Sequence, residues 1–251
     1  MPSLVRSQTA NHETLHQWSN ARSTTWVTPP DGRSVLELQT THTPKVFASV
    51  PDDENVLIPP YHWHWYQDEF FHIKRGRYIF TLEGQSFTVS ASDPQPVRVP
   101  ATARHTFRVD PTHDGPCTIE ISTAESPLQT AEHHPGLGGD VPGSSERFFR
   151  CIYSYLEDCH AQKVPPSLPQ LLLMLHDAEI SLAFPGPAWL MRGLSWGFGL
   201  VVGKIVGQYA LGYRSTYPEY YDPLRRVKAT GTSAQQQQQQ QQQPLQSKKL
   251  K

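Results

Sequence analysis

The sequence predicts a mainly β protein, an antiparallel barrel or jelly roll that is followed by a helical C-terminal extension. Two observations carry this prediction. Residues 31–125 contain about eight to ten short apolar or alternating runs separated by turn residues, which is the spacing of an antiparallel barrel. Beyond residue 147, apolar residues recur at helical spacing instead. A chain of 251 residues has room for one barrel and a sizeable appendage.

The predicted strands follow one another between turns rich in proline and glycine. A turn signal at residues 28–32 precedes the first alternating run, at 34–40, and a second run follows at 45–50. The remaining predicted strands are the segment around 62–64, then 69–76, 77–83, 85–90, 97–99, 105–109 and 117–122.

The composition changes along the chain divide it into five parts. We expect an irregular or partly helical N-terminal arm at 1–30 and the barrel at 31–125. A stretch rich in Pro, Gly and His predicts a linker at 126–146, before a helical apolar extension at 147–224. Residues 225–251 contain a polyglutamine run and are expected to form a disordered tail.

The extension contains an apolar stripe at helical spacing, which we expect to pack on the outside of the barrel. The stripe consists of Phe148, Ile152, Tyr155, Leu156 and Cys159. Cys151 and Cys159 are expected to pack on this helix rather than to do redox work.

Residues 193–213 form the most apolar stretch of the extension, and Gly199, Gly203 and Gly207 recur there every four residues. This spacing lets two helices approach closely, and the stretch is long enough to span a bilayer. Lys204 lies near its middle, where a charge in lipid costs about 3 kcal/mol. We therefore favour a helix buried against the barrel or a second subunit, with membrane association through 193–213 as the alternative.

Charge and cysteine content restrict the function classes. The net charge of −1 gives no basic surface, so we expect no nucleic-acid partner. Three cysteines without a C-x-x-C pair indicate reduced thiols inside the cell. Residues 1–18 have no continuous apolar run of the kind that a secretory signal requires. We expect a cytoplasmic protein.

Four side chains of metal-binding type occur at strand and turn spacing. His62, His64, Glu69 and Gly76 form the pattern H-x-H-x4-E-x6-G, and His105 follows near the end of the predicted barrel. Chance matches to this pattern are rare in a chain of this composition. Lone histidines elsewhere are more often surface or core residues, so we assign them no metal role.

Strand parity decides how these side chains are placed. His62 and His64 are two residues apart and project from the same face of a strand, so they can share one ion. Glu69 lies an odd number of residues from both and would point the other way on an unbroken strand. A turn between Trp65 and Asp68 would start a second strand and bring Glu69 back to the site.

These residues resemble the two motifs of the cupin superfamily, G-x5-H-x-H-x3,4-E-x6-G and G-x5-P-x-G-x2-H-x3-N. The first motif fits except at its opening glycine, where this chain has Val56. In the second motif Pro100 and His105 fit, whereas the two glycines and the asparagine are replaced by Pro94, Thr102 and Val109. The chain can accommodate Thr102 if its φ is negative. The resemblance covers roughly residues 30–125.

The cupin resemblance implies that His62, His64, Glu69 and His105 bind a divalent metal inside a small antiparallel barrel. It also implies a homodimer, since cupins often pair through barrel edges. Three imidazoles and one carboxylate suit Fe(II), Mn(II), Ni(II), Co(II) or Zn(II), and redox chemistry favours Fe(II) among these. Asp68 could compete as the carboxylate, but Glu69 alone keeps the motif spacing to Gly76.

The chain as a whole is similar to cupin-domain oxidoreductases of fungal secondary-metabolite pathways. This implies a metal-dependent oxidoreductase or oxygenase that acts on a small aromatic or polyketide-derived metabolite. The alternatives are a non-redox isomerase, cyclase or decarboxylase, and a non-catalytic metabolite-binding protein. His72 and Arg104 are candidates to donate hydrogen bonds to the ligands or to act as acid and base groups. The aromatic residues expected around the pocket are Tyr61, Trp63, Trp65, Tyr66, Phe70, Phe80 and Phe107.

Overall fold

The structure is a computed structural model, and it describes most of the barrel and of the extension. The described residues are 4–27, 36–52, 54–55, 57–125 and 145–222. The predicted tail at 225–251 and almost all of the predicted linker at 126–146 lie outside the described residues, as does the motif position Val56.

The described chain is mainly antiparallel β-structure, with its helices in the C-terminal part. The strands are β1 (Thr14–Gln17), β2 (Arg22–Val27), β3 (Leu36–Thr41), β4 (His62–His64), β5 (Gln67–Arg75), β6 (Arg77–Leu82), β7 (Gln85–Ser90), β8 (Val97–Val99), β9 (His105–Val109), β10 (Cys117–Glu125) and β11 (Ile180–Leu182). The helices are α1 (Glu146–Ala161), α2 (Leu168–Asp177), α3 (Ala188–Phe198) and a π-helical segment, Gly199–Ala210, that continues α3. This architecture confirms the predicted fold class.

Two sheets face each other to form the jelly roll. One sheet has the strand order β1-β2-β3-β10-β5-β8, and the other has the order β11-β4-β9-β6-β7. All of the strand pairs within the described residues are antiparallel. Alternate residues of β5 such as Phe71 and Ile73 point inward and pack against Phe80 and Ile119. A hydrophobic core therefore lies between the sheets.

The N-terminal residues differ from the expected irregular arm. β1 and β2 lie within residues 1–30, and β2 pairs with β3 from Arg22↔Thr41 to Val27↔Leu36. The alternation of β2 is hard to see in the sequence because its inward side chains include Arg22 and Thr24, both buried and polar. The predicted strand at 45–50 was wrong, because Pro44 starts a mostly exposed 3₁₀ turn at Pro44–Phe47 instead.

The extension packs on the barrel and also adds a strand to it. β11 pairs with β4, with Ile180 opposite His64 and Leu182 opposite His62. Cys151 and Cys159 are buried on α1 as free thiols. The extension therefore supports the strand that carries two of the candidate ligands.

The repeated glycines of residues 193–213 face α2. A Cβ atom at Gly203 would lie 2.7 Å from the carbonyl carbon of Leu172, and one at Gly207 would lie 2.8 Å from the carbonyl oxygen of Pro169. The ammonium group of Lys204 pairs with Asp177 of α2 at 2.5 Å. Within the described part of the chain, the search for a helix of sufficient length and hydropathy to cross a membrane finds none.

Candidate metal centre

The four predicted ligands meet between the two sheets. His62 and His64 lie on β4, and His105 lies directly opposite His62 on the neighbouring strand β9. Glu69 reaches the same point from β5 in the facing sheet. One ligand atom from each of the four residues lies within 4.8 Å of all the others. All four side chains are buried.

The predicted corner places Glu69 on the correct side. β4 ends at His64 and β5 begins at Gln67, so the chain changes sheets over two residues. The extension holds this corner, because the backbone N–H of Trp65 donates to the Glu179 carbonyl at 2.9 Å and its indole donates to Ser181 at 2.8 Å.

Backbone carbonyls orient two of the three imidazoles. Nδ1 of His62 lies 2.7 Å from the Pro60 carbonyl oxygen, and Nδ1 of His105 lies 3.0 Å from the Ala103 carbonyl oxygen. A carbonyl accepts only, so each Nδ1 carries the proton and donates it. The lone pair of each Nε2 therefore points into the site, because the hydrogen bond at Nδ1 fixes the tautomer and the orientation of the ring for metal binding.

The lone pairs in the site face one another. Nε2 of His105 lies 2.9 Å from Oε2 of Glu69, and Nε2 of His62 lies 3.3 Å from Nε2 of His64. Two acceptors at such distances repel unless a cation or a proton lies between them. The donor set thus fits a divalent ion, which would turn these repulsions into ligand bonds.

Burial also keeps the imidazoles in their ligating form. Burial lowers the pKa of His62 well below its ordinary value, and the neighbouring histidines lower it further while Glu69 opposes them. Burial and His105 likewise lower the pKa of His64. Neutral imidazoles at neutral pH are the form that binds a metal ion.

The competing carboxylate and the two acid–base candidates lie elsewhere. Asp68 accepts hydrogen bonds from Arg98 at 2.6 and 2.9 Å and from the N–H of Ala101, so its two oxygens are engaged away from the site. His72 lies on the outer face of β5, where its imidazole is 46% exposed and 4.0 Å from Glu120. The structure does not bring His72 to the ligand cluster.

Arg104 precedes His105 but its side chain leaves the site. Its guanidinium forms an ion pair with Glu83 at 2.8 Å and also donates to the Gly186 carbonyl. Like His72, it lies outside the cluster, because the residue before an inward-facing position points outward.

Thr102 departs from the expected negative φ. Its φ is 65°, in the left-handed region that the glycine of the cupin motif would favour. Its N–H donates to the His64 carbonyl at 2.7 Å, and its own carbonyl accepts from Arg192 at 3.1 Å. These two bonds hold the threonine in a glycine-like conformation and fix the end of β4.

A mostly apolar cavity of about 120 Å³ opens onto the ligands. His62, His64 and Glu69 form part of its wall. About half of its apolar lining comes from the extension, with Phe148, Phe149, Ile152 and Leu156 of α1, Leu175 of α2 and Ile180 of β11. The expectation that the α1 stripe packs on the outside of the barrel is therefore incomplete, since α1 also closes the cavity.

A wider crevice of about 680 Å³ adjoins this cavity and shares Ile58, Phe107, Ile152 and Leu156 with it. Together they form a path from the surface to the ligands of the size that small-molecule sites use.

The aromatic residues of the expected pocket are mostly placed elsewhere. Phe107 lines the cavity, and Tyr61 lines only the wider crevice. Trp63 is fully buried, and Phe80 belongs to the core between the sheets. The aromatic wall comes instead from α1, whose residues the motif does not cover.

A second set of polar side chains also lines the cavity. Apart from the ligands, the polar side chains among the described residues lining it are Arg22, Gln39 and Tyr153. Arg22 is buried and donates to Gln17 at 2.9 Å and to the Leu57 carbonyl at 3.3 Å. We call Arg22, Gln39 and Tyr153 the polar pole of the cavity.

Glu37 lies behind this pole. The Gln39 amide donates to Glu37 at 2.5 Å and to the Tyr153 hydroxyl at 2.9 Å. Burial raises the pKa of Glu37 to about 7, although Gln39 and Arg22 oppose this shift. Its Oε2 atom is buried without a hydrogen-bond partner among the described residues. The carboxyl group can therefore gain or lose a proton near neutral pH.

Comparisons with known proteins identify relatives among fungal oxidoreductases. The chain is 28% identical over 224 residues to the probable oxidoreductase virH of Hypocrea virens, which covers 88% of this chain and 91% of that protein. It is 27% identical to the oxidoreductase iacF of Pestalotiopsis fici, covering 76% of this chain and 89% of that protein. It is 26% identical to the epoxidase atD of Aspergillus terreus, covering 84% of this chain and 64% of that protein.

No protein-family model matches the chain. Among solved structures, the cupin domain of Schizosaccharomyces pombe Cnp3 aligns at 10% identity with a TM-score of 0.31, over 47% of this chain and 72% of that chain. The protein is an antiparallel β jelly roll in which His62, His64, Glu69 and His105 meet, and its relatives are fungal proteins named as oxidoreductases.

Proposed function

We propose that the protein is a metal-dependent oxidoreductase that acts on a small aromatic or polyketide-derived metabolite in secondary-metabolite biosynthesis. His62, His64, Glu69 and His105 hold one divalent ion, and Fe(II) is the ion that we favour. Relatives named as oxidoreductases and an epoxidase support redox chemistry. A bound redox-active ion would supply the electron transfer that imidazole and carboxylate groups cannot perform.

The observation that carries this proposal is the meeting of four buried donor atoms at the wall of an apolar cavity. A buried carboxylate and three imidazoles with no other task are costly to keep in a fold. The two carbonyl-bound imidazoles, His62 and His105, present their Nε2 atoms before any ion arrives, so little ordering is left for the binding step.

The remaining cavity residues bind and orient the substrate. The apolar side chains of α1, such as Phe149 and Ile152, exclude water and take up a hydrophobic ring or chain. The polar pole supplies donors, namely the Arg22 guanidinium and the Tyr153 hydroxyl, for an oxygen atom of the substrate. A metabolite with an apolar body and a terminal oxygen group fits this arrangement.

The metal content of matched variants tests the first half of the proposal. Wild type, Glu69→Gln and His72→Gln are reconstituted with Fe(II) without oxygen, desalted, and measured by elemental analysis. We expect one ion per chain in the wild type and in His72→Gln, because His72 lies on the outer face of the same strand. Glu69→Gln should bind at least about tenfold more weakly. A wild type that retains no stoichiometric ion refutes the metal centre.

Oxygen uptake with a panel of phenolic and polyketide substrates tests the second half. The Fe(II) form should consume oxygen with at least one of these compounds, and the Zn(II) form should not, because Zn(II) has no redox chemistry. Conversion of a substrate at equal rates with Zn(II), and without oxygen, would assign the protein to the non-redox isomerases, cyclases or decarboxylases.

A further inference from the structure

The face of α3 and the π-helical segment that points away from the barrel is apolar and uncovered. Among the described residues, fourteen large hydrophobic side chains are exposed, and nine of them lie between Trp189 and Leu211. Trp189 and Tyr209 are 79% and 77% exposed. We call Trp189, Leu194, Trp196, Val201, Ile205 and Tyr209 the exposed stripe.

The exposed stripe is one continuous face of the helix. The opposite face carries Gly199, Gly203 and Gly207, all buried, and the last two lie against the backbone of α2. The glycines thus fix the helix to the protein and turn the large side chains outward. By side-chain size and exposure, the apolar area is on the order of 1,000 Å², which exceeds the largest patch of a typical monomer.

The charged residues of the helix that carries the stripe are all basic. The sequence has no Asp or Glu between Glu179 and Glu219, whereas Arg192, Lys204 and Arg214 are basic. Lys204 is paired with Asp177, and Arg214 is exposed beyond the end of the helix. Tryptophan and tyrosine near both ends of an apolar helix are the residues that prefer the boundary between lipid headgroups and acyl chains.

We propose that the exposed stripe rests on an anionic lipid surface, with the helix parallel to the membrane plane and its apolar side chains inserted into one leaflet. The apolar area supplies the binding energy, and anionic headgroups supply the negative charges that this face lacks. The wider crevice of about 680 Å³ would then lie close to the membrane, in which apolar metabolites dissolve. Its wall includes residues of α2, the helix against which the π-helical segment packs.

A second copy of the chain fits this face less well. A two-fold contact would leave the exposed Arg214 of each copy without an acidic partner on the helix of the other copy. Headgroups such as phosphatidylserine have the complementary charge.

Vesicle sedimentation of the full chain tests the proposal. The vesicles contain phosphatidylcholine alone or with phosphatidylserine. The test variant carries Trp189→Ser, Leu194→Ser and Tyr209→Ser, and the control carries Val5→Ser, Val27→Ser and Val46→Ser, which are exposed valines outside the stripe. Circular dichroism checks the fold, which should persist because the three stripe side chains are more than half exposed.

We expect wild type and control to bind the phosphatidylserine vesicles alike, more tightly than phosphatidylcholine alone, and the stripe variant to bind at least about tenfold more weakly. The proposal is overturned by no binding to the mixed vesicles, by equal binding of the stripe variant, or by equal binding to both vesicle types. Light scattering tests whether a second copy of the chain occupies the face instead. If the wild type is a dimer, the stripe variant is a monomer and neither binds vesicles, the face is a dimer interface and the lipid proposal is overturned.

Discussion

Replacement of Gly203 by alanine should destabilise the protein, whereas the same change at Gly197 should not. Both glycines lie in the continuous helix that runs from Ala188 to Ala210. A Cβ atom at Gly203 would lie 2.7 Å from backbone atoms of Leu172 and Leu173, and one at Gly197 would meet no atom within 4 Å. The pair therefore separates helix packing from helix propensity.

The expected magnitude follows from that spacing. Ordinary contact begins at 3.4 Å, so the methyl group of Gly203→Ala must push the two helix backbones apart by about 0.7 Å. Overpacking of this kind costs about 2 to 3 kcal/mol of unfolding free energy. Gly197→Ala replaces a helical glycine by the residue of highest helix propensity, so the free energy of unfolding should rise by up to about 1 kcal/mol. For a chain of this size, Gly203→Ala should lower Tm by roughly 5–10 °C.

Thermal unfolding followed by circular dichroism, together with urea unfolding, measures both changes. Equal stability of the two variants would refute the inference that the glycine face is buried against α2. That result would favour an oligomer in which Gly203 packs against a second chain. The Tm of such an oligomer would depend on protein concentration.

Two further predictions concern the cavity and the second motif. Burial raises the pKa of Glu37 from its ordinary 4.5 to about 7, so between these values the folded protein binds more protons than the unfolded one. The free energy of unfolding should therefore fall by about 3 kcal/mol as the pH rises through this window, and Glu37→Gln should abolish the fall. Urea unfolding at several pH values measures this pH dependence. If the unfolding free energy of Glu37→Gln falls with pH as steeply as that of the wild type, the prediction is wrong. Thr102→Gly should raise the free energy of unfolding by about 1 kcal/mol, because glycine tolerates a φ of 65°; a loss of stability on chemical denaturation would show that the threonine side chain stabilises the loop.

The placement of His62, His64 and Glu69 could be predicted from the sequence because strand parity is a strict geometric rule, whereas His105 was predicted only from the cupin resemblance. Two histidines at i and i+2 must share a face, and the odd distance to Glu69 required a corner, which the structure has at Trp65 and Tyr66. The strands β5 and β6 could be predicted for a similar reason, since alternate side chains of both strands are buried in the core.

The wall of the cavity could not be predicted in the same way. β2 hides its strand pattern because its inward residues include the buried Arg22, whose polar character is compensated only by tertiary partners such as Gln17 and Leu57. β11 has three residues and exists because β4 offers an unpaired edge. Local sequence patterns do not predict such long-range pairings. The polar pole of the cavity could therefore not be predicted from the sequence.

This difference between ligands and wall bears on how such proteins diverge in function. The candidate ligands come from β4, β5 and β9 of the barrel, whereas about half of the apolar cavity wall comes from α1, α2 and β11 of the extension. A change in α1, such as at Phe149 or Tyr153, can alter the shape and polarity of the cavity without moving a ligand, since these side chains are held by a separate helix. Substrate choice can therefore change while the ion and its chemistry are kept. Relatives that share about a quarter of their residues with this chain are then expected to agree in the ligands and to differ in α1, which makes α1 the segment to exchange when substrate specificity is tested.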